Sequence, residues 1–147
     1  PRTRRIRRAG TAAVIYLLDT NAWIAYLRQN SQVLVQRLQQ EPPSDVGLCS
    51  VVLGELWYGA VRSGPVHLAA NFALIARLRQ QFISLPFDDP AAEEYRRIRA
   101  HLAGQGTMIG PNDLMIAAIA LTNQLTLVTH NTAEFSRVPG LTLEDWQ

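Results

Sequence analysis

The feature that most constrains the fold of this chain is an alternation of short apolar runs with longer helical patterns. Strand-like apolar runs lie at residues 14–18, 46–49, 83–85, 126–128 and 141–143, and most of the segments between them read as helices. Short strands without a polar face are typical of a parallel sheet that helices cover on both sides. We therefore predict an α/β/α sandwich around a short central parallel sheet.

Helix boundaries are predicted from capping residues and from the positions of Pro and Gly. A helix from Pro90 to about Leu102 precedes the glycine-rich segment AGQGTMIGP, which we read as a loop. The candidate N-caps of four other helices are Asp19 or Thr20, Ser31, Ser50 and Asn112.

The positive charge of the chain is concentrated at its beginning. All 14 basic side chains are Arg, and five of them fall within the first eight residues; without these five the formal charge of +2 becomes −3. We treat residues 1–13 as an Arg-rich tail and residues 14–147 as one domain. The tail is an arm that binds phosphates, a disordered leader, or translated sequence upstream of a natural start near Val14.

The remaining bulk properties favour a cytoplasmic protein. The single Cys49 excludes an internal disulfide and fits a reducing compartment. A secretory signal is a weak alternative, because no small-residue cleavage site follows AGTAAVIYLL. No apolar run approaches the roughly 20 residues that are needed to cross a bilayer, so no membrane association is expected.

Three carboxylates stand in conspicuously apolar local sequence: Asp19 in YLLDTN, Glu55 in VVLGELWYG and Asp113 in PNDLMIAA. Singly, each has a structural explanation, as an N-cap, a residue on a solvated helix face, or an acid in a first helical turn. Together, three buried carboxylates without counter-charges would be prohibitive at neutral pH. A hard divalent cation such as Mg²⁺ or Mn²⁺ resolves this conflict, because it takes carboxylate oxygens and keeps several waters.

The order of these motifs resembles a known family. LLDTN after a strand, E-L-x-x-G-A from Glu55 to Ala60, and P-N-D-x-x-I-A-A from Pro111 to Ala118 resemble the PIN-domain ribonucleases. The segment LAGQGTMIGPND and the closing VTHNTAEFSRVPGLTLEDW are similar to VapC-type toxins of bacterial toxin–antitoxin pairs. The resemblance covers about residues 14–147 and implies a PIN-like sandwich.

The resemblance implies a ligand set for the metal. Asp19, Glu55 and Asp113 match the three core acidic ligands of the family, and the fourth acidic position falls on Asn131. An amide oxygen ligates Mg²⁺ without contributing charge, so we expect one resident ion, with a second recruited, if at all, by the substrate phosphate. Glu134 lies nearby and could compensate, although the tight octahedral geometry of Mg²⁺ argues against it. Residues expected to support these ligands are Thr20, Asn21, Asn112 and Thr129.

The function that the resemblance implies is hydrolysis of RNA phosphodiesters by a metal-activated water, in the toxin of a VapBC-type pair. It also implies a homodimer and a VapB-type antitoxin that blocks the acidic site. Candidate RNA contacts are Arg96, Arg97, Arg99 and His130. A solvated helix face and an ordinary loop histidine explain these four residues equally well.

Two other functions stay open at this stage. The amide at Asn131 is compatible with a PIN domain that binds RNA and cuts it weakly or not at all. An apolar strand ending in Asp also resembles the small-molecule phosphatases of the haloacid-dehalogenase type. Those enzymes use D-x-D, whereas position 21 here is Asn, so their second acid is missing.

Overall fold

The computed structural model describes residues 14–147, so the predicted Arg-rich tail at residues 1–13 lies outside the described residues. A short 3-10 helix, Pro43–Asp45, precedes the second strand. The strands and α-helices of the described part are, in order, β1 (Tyr16–Leu18), α1 (Thr20–Leu27), α2 (Gln32–Gln40), β2 (Val46–Cys49), α3 (Ser50–Arg62), α4 (Pro65–Gln81), β3 (Ile83–Leu85), α5 (Asp89–Gln105), α6 (Pro111–Thr122), β4 (Thr126–Val128), α7 (Thr132–Phe135) and β5 (Thr142–Glu144).

The strands form one parallel sheet in the order β3-β2-β1-β4-β5. Leu17 in the central strand pairs with Gly47 of β2 on one side and with Leu127 of β4 on the other. The chain moves outward from β1 to β3 and then returns to β4 on the other side of β1. Right-handed crossovers therefore place α1–α4 on one face and α5 and α6 on the other, which confirms the predicted sandwich.

The core lies on both sides of this sheet. Leu17, Leu18 and Leu127 are fully buried in the two central strands, and the α6 segment from Ile116 to Ala120 is buried throughout. This continuous apolar stretch of α6 explains why its sequence shows no clear polar face. Within the described residues, no helix is long and apolar enough to cross a membrane.

Two predicted caps are wrong by one or two residues. Helix α3 begins at Ser50 with Cys49 as its N-cap, and the Ser50 hydroxyl instead accepts a hydrogen bond from the Phe87 amide at 3.1 Å. Helix α6 begins at Pro111 with Gly110 as its N-cap, so that Asn112 lies inside the first turn. The fixed φ of Pro111 and its missing N–H suit the first position of a helix, so α6 begins at Pro111 and not after Asn112.

Two further elements differ from the sequence prediction. Helix α5 continues to Gln105 and ends at Gly106, whose φ of 66° is left-handed, so the predicted glycine-rich loop is shorter than expected. The single-turn helix α7 was not predicted, because four residues carry no measurable periodicity. Asp19 and Ser31 cap α1 and α2 as predicted.

The end of the chain is anchored by Arg37 of α2. Its guanidinium lies 4.6 Å from the centroid of the Trp146 ring and 5.9 Å from that of Tyr16. The same side chain forms an ion pair with Glu41 at 3.0 Å. These contacts fix the segment after β5 against the N-terminal half of the domain.

Candidate metal-binding nuclease site

An open cleft of about 230 Å³ lies where the carboxyl ends of β1 and β4 meet. Successive strands are added to the sheet in one direction from β1 to β3 and in the opposite direction from β1 to β4 and β5, and such a switch point is where parallel α/β sheets bind ligands. We call this cleft the acidic cleft. The residues that line it are Asp19, Thr20, Asn21, Glu55, Gly110, Pro111, Asn112, Asp113 and Asn131.

The structure thus brings all of the predicted core acids into one cleft, together with Asn131 and three of the predicted supporting residues, Thr20, Asn21 and Asn112. The fourth supporting residue, Thr129, contacts Asp19 from behind. Gly110 and Pro111 were not predicted as site residues. They could have been identified from the sequence, because Gly110 and Pro111 form the turn that directly precedes Asp113.

Asp19 is the most deeply buried acid of the cleft, with 4% of its surface exposed. It follows β1 directly, and its Oδ1 accepts a hydrogen bond from the Ala22 amide at 2.9 Å, as an N-cap does. Its Oδ2 accepts a hydrogen bond from the Thr129 hydroxyl at 2.6 Å. Burial raises the pKa of Asp19 above its ordinary value, and the bonds from Thr129 and Ala22 oppose that rise. Asp19 is therefore both a helix cap and a site carboxylate.

Thr129 connects the first and last parts of the site. The Thr129 hydroxyl donates to Asp19, and its oxygen also accepts a hydrogen bond from the backbone N–H of Asn131 at 3.0 Å. Its own amide donates to the Glu144 carbonyl at 2.9 Å, which extends the pairing of β4 with β5. One buried hydroxyl thus sets the position of the β1 carboxylate relative to the segment after β4.

Glu55 enters the cleft from α3. Its Oε1 is buried and has no hydrogen-bond partner among the described residues. A buried carboxylate oxygen without a donor is costly, so it marks a place where a water or a cation is needed. The same side chain also lines a neighbouring apolar groove between α1, α3 and α4, together with Leu27, Leu56 and Leu74.

Asp113 lies in the first turn of α6, and its pKa is raised to about 6. Burial is the largest cause, and the negative charges of Glu134, Asp19 and Glu55 add to it in that order. A carboxyl that resists ionisation in this way lies in a field of like charge. The cleft is therefore poised to accept positive charge.

Asn131, at the predicted fourth acidic position, borders the cleft from the segment after β4. Its amide nitrogen donates to Oε2 of Glu134 at 2.5 Å. Oε1 of Glu134 in turn accepts a hydrogen bond from the Gly110 amide at 3.0 Å. A fourth carboxylate thus lies beside the cleft, three residues after the position where the family pattern places one.

The donor set of the cleft fits a hard divalent cation in chemistry, since it offers carboxylate and amide oxygens and no sulfur. The unpartnered Glu55 oxygen and the like charges around Asp113 point the same way. Within residues 14–147, no three His, Cys, Asp or Glu side chains are grouped closely enough to hold a metal ion by themselves. Mg²⁺ does not require such a group, because it binds through one or two carboxylates and keeps several waters.

The predicted RNA-contacting residues lie apart from the lining of the cleft. Arg96 pairs with Glu93, and Arg97 pairs with Glu94 at 2.9 Å, both within α5. Arg99 donates to the hydroxyl of Tyr95 at 2.9 Å. These contacts are those of a solvated helix face, the alternative that the sequence left open.

His130 is exposed beside the cleft, and its Nδ1 lies 3.0 Å from an oxygen of Asp145. The ring of Trp23, which follows closely after Asp19 in the chain, is fully buried and packs against Phe82. An aromatic ring in the core has no access to nucleic acid.

Comparison with known proteins identifies the family. The PIN domain family matches residues 16–141. The tRNA(fMet)-specific endonuclease VapC of Salmonella typhimurium is 36% identical over 131 residues, which is 89% of this chain and 97% of that protein.

Solved structures agree with this match. DNA-bound VapBC from Salmonella typhimurium superposes with a TM-score of 0.84 at 34% identity, covering 91% of this chain and 99% of the other. VapBC2 from Rickettsia felis, bound to a DNA fragment from its promoter, gives a TM-score of 0.83 at 30% identity and covers 91% and 100%. The chain therefore belongs to the PIN-domain family and, within it, to the VapC ribonucleases of toxin–antitoxin systems.

Proposed function

We propose that this chain is a metal-dependent endoribonuclease that acts as the toxin of a VapBC-type pair in the cytoplasm. The observation that carries the proposal is the convergence of Asp19, Glu55 and Asp113 on the acidic cleft. RNA is a polyanion, and a cluster of carboxylates repels it unless a cation lies between them. Metal dependence thus follows from the charge of the site and that of its substrate.

The ion in this proposal is Mg²⁺ or Mn²⁺, bound in the acidic cleft through the carboxylates of Asp19, Glu55 and Asp113, with waters bridging those that do not reach it directly. When bound, it supplies Lewis-acid stabilisation of the phosphate and acidifies a water for hydrolysis. Thr129 orients the Asp19 carboxylate, and the backbone amide of Ala22 holds its other oxygen. Glu55 contributes an oxygen that has no hydrogen-bond partner within residues 14–147, so its loss removes little besides the cation site.

The partners in this proposal are RNA, a second copy of the chain and a VapB-type antitoxin. The two VapBC structures support the proposal of an antitoxin partner, since each is a complex of a VapC protein with its VapB protein. The apolar groove between α1, α3 and α4 shares Glu55 with the acidic cleft. A bound segment with apolar side chains in the groove can therefore place a basic residue over the carboxylates.

The test uses purified protein freed of metal with EDTA, and synthetic RNAs that include an initiator tRNA, because one relative is named for that substrate. We expect cleavage only after Mg²⁺ or Mn²⁺ is restored. Glu55→Gln should lower the rate by at least about 100-fold, because loss of a metal ligand costs more than loss of a supporting residue. Glu93→Gln, an exposed acid on α5, is the matched control and should cleave normally.

Three outcomes would contradict the proposal. Cleavage that persists in EDTA excludes the metal, and equal rates in the two Glu→Gln variants exclude the acidic cleft. RNA that binds but is never cut supports the RNA-binding alternative. Sequencing the RNA ends produced in cells, with and without the Glu55→Gln substitution, then gives the target and the position of the cut.

A further inference from the structure

The Glu134 carboxylate is hydrogen-bonded by two segments that are far apart in sequence. Its Oε1 accepts from the Gly110 amide at 3.0 Å, and its Oε2 accepts from the Asn131 side chain at 2.5 Å. Gly110 is the residue immediately before α6, whereas Asn131 is the residue immediately before α7. Both carboxylate oxygens thus already have protein donors, and together they join the two sides of the acidic cleft.

The Gly110 side of this link leads directly to Asp113. A Cβ atom placed on Gly110 would lie 3.7 Å from Oδ2 of Asp113 and 4.0 Å from Oε1 of Glu134. Gly110 therefore lies between the two carboxylates. Any shift of the turn at Gly110 moves the first turn of α6 and with it the Asp113 side chain.

The Asn131 side of the link leads to Asp19. The backbone N–H of Asn131 donates to the Thr129 hydroxyl, which in turn donates to Asp19. A chain of hydrogen bonds thus runs from the turn before Asp113, through Glu134, Asn131 and Thr129, to Asp19. This chain of hydrogen bonds connects the segment that carries Asp19 with the segment that carries Asp113.

We propose that Glu134 is a positioning residue that braces the Gly110 turn against the segment after β4, with Asn131 as its hydrogen-bond donor rather than as a metal ligand. This inference rests on the proposed function, because the brace matters through the spacing of Asp19 and Asp113. It also explains the amide at position 131. An Asp there would face the Glu134 carboxylate at hydrogen-bond distance, with no proton to share at neutral pH.

The first test compares Glu134→Gln with Glu134→Ala. Both substitutions remove the negative charge, but only Gln keeps the brace. The Gln side-chain oxygen accepts from the Gly110 N–H, and its NH₂ group donates to the side-chain oxygen of Asn131 once the Asn131 amide has rotated by 180°. The readout is hydrogen exchange of the Gly110 amide, followed by NMR on metal-free protein. We expect about tenfold faster exchange in Glu134→Ala and near wild-type exchange in Glu134→Gln. Equal exchange in the wild type and Glu134→Ala would exclude the brace.

The second test exchanges donor and acceptor. Asn131→Asp sets two carboxylates against each other, and the double variant Asn131→Asp, Glu134→Gln restores one amide facing one carboxylate. At saturating Mn²⁺ we expect Asn131→Asp to cleave RNA at least about tenfold more slowly than the wild type, and the double variant to recover most of that loss. Melting temperatures identify any variant that fails to fold. If Asn131→Asp fails to fold, Asn131→Ser is used at that position, because Ser keeps a hydroxyl donor.

Two results would overturn the proposal. If Asn131→Asp binds Mn²⁺ more tightly and cleaves as fast as the wild type, residue 131 acts as a ligand. If the double variant is no faster than Asn131→Asp, the two side chains do not act as a pair. Failure of the proposed function looks different, because a wild type that cuts no RNA still reports the brace through Gly110 exchange.

Discussion

Replacing Asp113 by Asn should stabilise the metal-free protein while it abolishes metal-dependent cleavage. The pKa of this carboxyl is raised from 3.8 to about 6, so ionising it costs free energy in the folded state that it does not cost in the unfolded chain. Asn has nearly the same shape and carries no charge. The substitution therefore removes the cost of burying a charge, which is the largest cause of the shift, and also the repulsion from Glu134, Asp19 and Glu55.

The magnitude follows from the size of the shift. A difference of about two pKa units corresponds to roughly 3 kcal/mol at 1.36 kcal/mol per unit. Asp113 is only half-buried, so solvent reduces both the burial cost and the repulsion, and the place of Asp113 in the first turn of α6 favours the ionised form. We expect a net gain of about 1–2 kcal/mol, which raises the melting temperature of a domain of this size by roughly 3–6 °C.

The free energy of unfolding should depend on pH in a definite direction. A carboxyl whose pKa is raised in the folded state carries no penalty below pH 3.8, a growing penalty between 3.8 and about 6, and the full penalty above 6. The advantage of Asp113→Asn in EDTA should therefore be large at pH 7.5 and small at pH 4. Adding Mn²⁺ should reverse the order, because the wild type gains more from binding.

Thermal unfolding followed by circular dichroism, at both pH values and with EDTA or Mn²⁺, measures all four conditions. Asp89→Asn is the matched control, since Asp89 is also an acid in a first helical turn but is exposed. It should not gain stability. An Asp113→Asn variant that melts at or below the wild-type temperature at pH 7.5 in EDTA would refute the reasoning, as would a gain that does not change with pH.

Other perturbations test the supports of the site and of the fold. Thr129→Val should cost about 1–3 kcal/mol in urea unfolding and weaken Mn²⁺ binding, because it leaves a buried Asp19 oxygen without its donor; Thr129→Ser should behave as the wild type. Arg37→Ala should cost about 1–2 kcal/mol by freeing Trp146, with no change in the cleavage rate per folded molecule. A loss of cleavage in Arg37→Ala that exceeds the unfolded fraction would contradict this separation.

The parallel sheet and its cover of helices on both faces could be predicted from sequence, because the central strands are short and apolar throughout; the order of the strands was not predicted. The same signal located Asp19 at the end of β1, and capping chemistry located the start of α1. The starts of α3 and α6 were misplaced, because Ser50 bonds to Phe87, 37 residues away, and Pro111 replaces Asn112 as the start signal. Long-range partners of a hydroxyl leave no trace in local sequence.

The candidate site shows the same limit. Asp19, Glu55 and Asp113 could be selected because charged residues inside apolar segments are rare. The sequence suggested Glu134 only as a compensating ligand. Its hydrogen bond from the Gly110 amide could not be predicted, because Gly110 is 24 residues away and α7 is too short to predict. The local sequence pattern identifies the acids, whereas the distances between their carboxylates depend on how the loops fold.

The hydrogen bond between Thr129 and Asp19 also has a consequence during synthesis. It closes a loop of 110 residues, and β4 must insert beside β1 before it can form. A ribosome that is still translating the last strands therefore carries a chain whose acids are not yet assembled. All three acids of the acidic cleft precede β4 in the chain, so the cleft is completed by a segment that is made after them.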